Sequence, residues 1–234
     1  MKKLFQNKKL LIIILSAVLL IGVAVAIILV CVSGKEEDPY QLKLDEFKQL
    51  IVNPEDAEGL YDGMQSIRDA ALEFGDEALD KLGYVSKDLN NDGNEELFIG
   101  CFDDEDADVE NEIYAAFTYD GGVLRPIFEK QKRNTFALTD TGTVYFYGTD
   151  GDKYHILAEY QLTETGELVC LDYYFTYPKD ANNNFGYYHN TTGDFNPETS
   201  EEIQMTAEEF EAKRQELAAR TEPLDAVKFS EIGK

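Results

Sequence analysis

Tyr84-Val85-Ser86-Lys87-Asp88-Leu89-Asn90-Asn91-Asp92-Gly93-Asn94-Glu95-Glu96-Leu97-Phe98-Ile99 is the stretch at which the chain changes period. Upstream of it, apolar residues recur at helical spacing. Downstream, short runs of Tyr, Phe, Val, Ile and Thr are separated by glycine-bearing turns. That switch predicts an α+β fold: a helical segment, an antiparallel β meander and a late C-terminal helix.

On the upstream side, Asp38 caps a helix with Pro39 at its first position, and Tyr40, Leu44, Phe47 and Ile51 share one stripe. Asn53-Pro54-Glu55-Asp56 repeats the start signal, with Leu60, Met64, Ile67 and Ala71 at the same spacing, although Gly59 and Gly63 weaken its first turns. Gly75 and Gly83 mark ends, with a short third helix over 76–82. Helices thus fill 39–83.

Strands mainly fill 84–190. Segments 113–119, 123–128, 136–139, 144–147, 155–162 and 168–177 read as strands. Asp120-Gly121-Gly122, Asp140-Thr141-Gly142 and Glu164-Thr165-Gly166 place glycine where a hairpin needs positive φ, so successive strands should pair antiparallel. Loops at 182–184 and 190–197 flank a last short strand at 185–189. Thr206-Ala207-Glu208-Glu209 is a capping box, and Met205 and Phe210 form a hydrophobic staple. Together they open a helix over 206–220. Val227, Phe229 and Ile232 alternate with polar residues, as in an edge strand or a segment docked on the sheet.

The first 34 residues belong to another class of sequence. Residues 10–32 are apolar but for Ser16, and as a helix they would span roughly 35 Å, enough to cross a bilayer. Lys2, Lys3, Lys8 and Lys9 precede this run, whereas Glu36, Glu37 and Asp38 follow it. The asymmetry predicts a single-pass signal-anchor in the cell membrane, its N-terminus cytoplasmic and residues 35–234 an extracellular domain. Two other fates also leave the domain outside: cleavage after Gly34, and lipid attachment at Cys31, where Val30 departs from the usual small residue.

All 46 acidic residues follow position 34, against 17 of the 21 basic ones. So acidic a domain repels phosphate backbones, which excludes nucleic acid as a partner, and it concentrates cations. A surface of this charge is also what solubility outside the cell asks for. Cys101 and Cys170 both lie in strand-like segments, where a disulfide and two buried thiols are equally open.

The opening stretch also carries chemistry. Counted from Asp88, side-chain oxygens stand at the first, third, fifth and ninth places (Asp88, Asn90, Asp92, Glu96), with Gly93 at the sixth and Asn94 offering its backbone carbonyl at the seventh. Calcium needs about six to eight hard oxygen ligands, and this spacing curls them around one point. A full EF-hand would carry Glu at the twelfth place, which here is Ile99 in a strand. The competing reading of Asn-Asn-Asp-Gly is a good turn and nothing more. The stretch 85–99 resembles the strand-loop-strand calcium loop of FG-GAP and VCBS repeats, with Glu96 in place of the usual Asp. More broadly, the loop, the Thr118-Tyr119-Asp120-Gly121-Gly122 hairpin and the Thr206 cap resemble exported proteins of Gram-positive bacteria. That resemblance implies an external location and this architecture, and it carries no activity; the loop spacing, with its one site, predicts a structural Ca2+.

Other candidates are weaker. His155 and His189 lie among aromatic residues without a nucleophile in a known local pattern, which favours structural imidazoles. The run Asp103-Asp104-Glu105-Asp106-Ala107-Asp108 reads as a solvated loop. Tyr173-Tyr174-Phe175-Thr176-Tyr177 and Tyr187-Tyr188 could stack on sugars, though one strand face must be core. The expectation is a surface-interaction domain for a cell-surface protein or glycan, with an envelope hydrolase and a structural envelope component as the alternatives.

Overall fold

Eleven strands are arranged in two antiparallel sheets in the computed structural model, which describes residues 40–56, 63–102, 109–120, 123–150, 153–180 and 184–233. The predicted membrane segment 10–32, the acidic run 103–108 and the Gly121-Gly122 turn lie outside the described residues. No helix among the described residues is long and apolar enough to cross a membrane. Leu42–Lys234 forms one compact unit.

Helix α1 (Gln41–Val52) buries Leu44, Phe47, Leu50 and Ile51, the stripe expected from spacing. Lys43 is buried beside them, its Nζ 5.0 Å from the Phe47 ring centre and 3.0 Å from the Glu46 carboxylate. Its aliphatic stem covers apolar surface while the charge finds an acid and two rings. At the second start signal Pro54–Asp56 forms a 3-10 turn, Gly59 and Leu60 lie outside the described residues, and helix α2 (Met64–Phe74) begins after Gly63. The Glu129 carboxylate accepts from Ser66 N–H in its first turn at 2.9 Å. A tertiary contact thus satisfies a donor that no local side chain reaches. The third helix is shorter than expected, a 3-10 turn at Gly75–Glu77 followed by α3 (Ala78–Lys81).

The first sheet runs β11-β1-β2-β3-β4, from β1 (Leu82–Lys87), β2 (Glu96–Cys101), β3 (Glu112–Asp120), β4 (Val123–Glu129) and β11 (Val227–Lys228). The second runs β10-β9-β8-β7-β6-β5, from β5 (Asn134–Leu138), β6 (Val144–Asp150), β7 (Tyr154–Leu162), β8 (Leu168–Pro178), β9 (Phe185–Asn190) and β10 (Glu201–Ile203). The meander is therefore broken once, at the crossover turn 130–133 between β4 and β5. Gly142 and Gly166 have φ of 75° and 74°, as their hairpins require.

Each sheet has two covered faces. Phe98, Ile113 and Ala116 of the first sheet meet Phe136, Leu138 and Val144 of the second in a common core, with Phe128 stacked on Phe136 at 4.3 Å. Behind the first sheet Phe47 of α1 packs on Phe117 of β3. Behind the second lies helix α4 (Ala207–Ala218), whose Phe210 and Leu217 join Ala137, Tyr145 and Leu157. The order is helices, sheet, sheet, helix. The buried Asn111 ties the sheets together: its Oδ1 accepts from Leu138 N–H at 2.8 Å, and its amide donates to the Leu138 and Glu222 carbonyls. The capping box forms as read, with Thr206 and Glu209 each bonding the other's backbone N–H. Cys101 in β2 and Cys170 in β8 lie in different sheets and form no disulfide, and burial pushes the Cys170 thiol up to about 11.

Candidate functional site

The predicted calcium loop is the connection between β1 and β2, and its first and last members are fixed by that hairpin: Lys87 faces Glu96 across the ladder. Between them the backbone is curled by its own side chains. Asp88 accepts from Asp92 N–H at 3.2 Å and Gly93 N–H at 3.0 Å, Asn90 Oδ1 accepts from Asp92 N–H at 3.0 Å, and Asp92 accepts from Asn94 N–H at 2.7 Å. Asn91 and Gly93 take φ of 61° and 92°. These are residue types that adopt the left-handed region at low cost.

Glu96 is fully buried, on the strand face that carries Phe98 into the shared core. Its carboxylate accepts from Leu89 N–H at 3.0 Å, Thr118 Oγ1 at 3.4 Å and Asn90 Nδ2 at 3.4 Å. The Asn90 amide also donates to Asp92 at 3.2 Å and to the Thr163 carbonyl at 2.9 Å. Asn90, Asp92 and Glu96 therefore meet around one amide, with Asp88 on the backbone side, while Asn94 spends its side-chain amide on Asp92 at 3.0 Å. Among the described residues no group of three or more His, Cys, Asp or Glu is gathered as a metal site would gather them. Burial pushes the Glu96 carboxyl above its ordinary value, and the neighbouring Asp92 and Asp88 charges add to the shift.

Sequence spacing picks out the five loop residues and misses three partners. Thr118 on β3 and Thr163 after β7 come from distant segments. Leu89 is 6% exposed and anchors the loop in the shared core. Nothing local marks any of the three.

Each histidine has a side-chain partner. Tyr147 Oη lies 2.9 Å from His155 Nδ1, and His189 Nε2 lies 2.9 Å from the Asp172 carboxylate. The aromatic run of β8 divides as the pleat requires. Tyr173 and Phe175 are core, and Tyr174 faces α4, where Lys213 covers its ring at 4.9 Å. Packing thus covers Tyr173, Tyr174 and Phe175 on the two faces of the run, while Tyr177 at its end is only half-buried.

Surface concavity is found elsewhere. A cleft of about 770 Å³ opens beside the crossover turn, floored by Phe146, Gly148 and Ile156 and walled by Tyr154, Tyr177 and Phe195. A smaller cleft of about 410 Å³ lies on the other side of the same turn, between it and α2. Compared with protein-family models, with curated proteins and with solved structures, the chain matches none.

Proposed function

We propose that the chain is a membrane-anchored extracellular interaction domain whose first hairpin is organised by one structural calcium ion. The observation that supports this reading most directly is the loop itself. Two predicted ligands, Asp92 and Glu96, already accept from the side-chain amide of a third, Asn90, and Glu96 is a carboxylate buried with two acidic neighbours. A cation of charge two resolves that arrangement. It would draw Asp88, Asp92 and Glu96 as oxygen ligands, turn the Asn90 amide so that its oxygen faces inward, and add the Asn94 carbonyl. The calcium would then hold the loop closed at the point where the helical segment hands over to the sheets, which is a structural role.

Thermal unfolding tests this. The full chain in mild detergent should melt higher with calcium than with chelator. Saturation at about a hundred times Kd corresponds to about 2.7 kcal/mol and, for a chain of this size, a rise of about 5–10 °C. An unchanged midpoint would sink the calcium assignment. The location is tested separately by fractionating producing cells: intact chain in the membrane fraction supports the anchor, whereas a soluble species beginning at Lys35 overturns it.

A further inference from the structure

We propose that the larger cleft binds an acidic glycan, its aromatic walls stacking on sugar rings while Lys132 and Arg133 pair with carboxylate or phosphate groups on the chain. This rests on the interaction-domain reading and deepens it by naming a ligand class, and it does not depend on the calcium loop.

The cleft is built from parts that converge only in the folded chain. Tyr154 sits at the start of β7, with ring centres 6.0 Å from Tyr177 and 6.0 Å from Phe195. Phe195 comes from the loop after β9 and is 39% exposed, a large apolar ring held out at the mouth. Asn190 holds that loop in place by donating from its amide to Asp194 O and Ser200 Oγ, at 2.8 Å each. The floor needs Gly148. A Cβ there would lie 2.9 Å from Asn134 Oδ1 and 2.9 Å from Phe146 Cζ, so a side chain would fill the space or displace its walls. The volume falls within the range of ordinary ligand sites, roughly 300–1,000 Å³.

Charge identifies the occupant. The chain carries a net charge of −25, and several of its cations are held in ion pairs: Lys130 with Glu112, Arg214 with Glu211, and Arg220 with Glu159. Lys132 and Arg133 stand adjacent and exposed at the cleft and, among the described residues, neither makes an ion pair. Arg133 also takes φ of 71°, where glycine or asparagine would be ordinary. A residue held at some cost in a left-handed conformation at a cleft is a mark of function. Its carbonyl accepts from Thr149 N–H at 3.2 Å, which fixes the turn against β6.

The remaining polar groups favour a sugar over a bare anion. Asp150 lines the same cleft and would repel a small anion, but it accepts from hydroxyls, and the Asn134 amide can both donate and accept. Sugars offer hydroxyl donors and acceptors around an apolar ring face, which suits Tyr and Phe walls. The guanidinium fork of Arg133 matches carboxylate and phosphate alike.

Calorimetric titration of the full chain in mild detergent, with calcium and again with chelator, tests the proposal. The probes are hyaluronan tetrasaccharide, neutral maltotetraose, inorganic phosphate and uridine monophosphate. Hyaluronan tetrasaccharide should bind saturably and weaken as salt rises, with maltotetraose and phosphate each about tenfold weaker or more. Arg133→Gly suits the left-handed backbone and should leave the melting point unchanged or higher while weakening binding about tenfold. Phe195→Ala should weaken it about fivefold or more. The proposal is overturned by no saturable binding, by equal binding of maltotetraose, by tighter binding of phosphate or the nucleotide, or by full affinity in Arg133→Gly. Loss of calcium-dependent melting with glycan binding intact would overturn the calcium assignment alone.

Discussion

Glu96 is a fully buried acid with two acids beside it. Its folded-state pKa is raised, so the folded chain holds that proton more tightly than the unfolded chain does. The resulting stability is complete below the ordinary value of 4.5 and is lost as pH rises through the folded value. In chelator, therefore, wild type should lose stability relative to Glu96→Gln as pH climbs from about 4.5 towards neutrality. Urea unfolding of the two proteins across that range measures the difference. At neutral pH the variant should melt higher than wild type in chelator and fail to gain from calcium. A parallel pH dependence in both proteins would show that Glu96 is not the group responsible.

Secondary-structure elements are legible in the sequence where short-range chemistry decides them. Thr206 and Glu209 announce α4 three residues apart, and the box forms as spelled. Thr206→Ala should cost about 1 kcal/mol, read as a lowered urea midpoint with unchanged slope, while Thr206→Asn should recover most of it. The hairpins at Gly142 and Gly166 are legible for the same reason: these glycines sit at positive φ. Strand β10 is not, because Glu201-Glu202-Ile203 is a polar edge that exists only by pairing with β9. Nor can spacing reveal that the meander divides at 130–133 into two sheets. That division depends on Asn111 and Phe128 finding partners in β5, contacts that are silent in the linear chain.

At the scale of the whole molecule, the loop and the cleft differ in how they can be found. The loop residues are contiguous, and their spacing is itself the signal. The cleft takes a basic turn from one segment and aromatic rings from three others, so only the folded chain displays it. Phe229, the residue after β11, is a test of how far the molecule acts as a unit. It is fully buried, with its ring 6.0 Å from that of Tyr84, yet it lies almost at the end of the sequence. Phe229→Ala should destabilise by about 3–5 kcal/mol, measured by urea unfolding, as expected of a core aromatic. A loss below about 1 kcal/mol would mean that the C-terminal segment frays independently of the sheets.

Strand β11 has a further consequence, in time. Gly83 pairs with Lys228, so the edge of the first sheet stays open until nearly all of the chain has been delivered. A nascent chain would present β1 to its surroundings long before its proper neighbour was made. The charged flanks Lys81 and Lys87 would discourage stray pairing during that wait. Sealing that edge is thus bound to the arrival of Val227 and Lys228, long after the strand they cover.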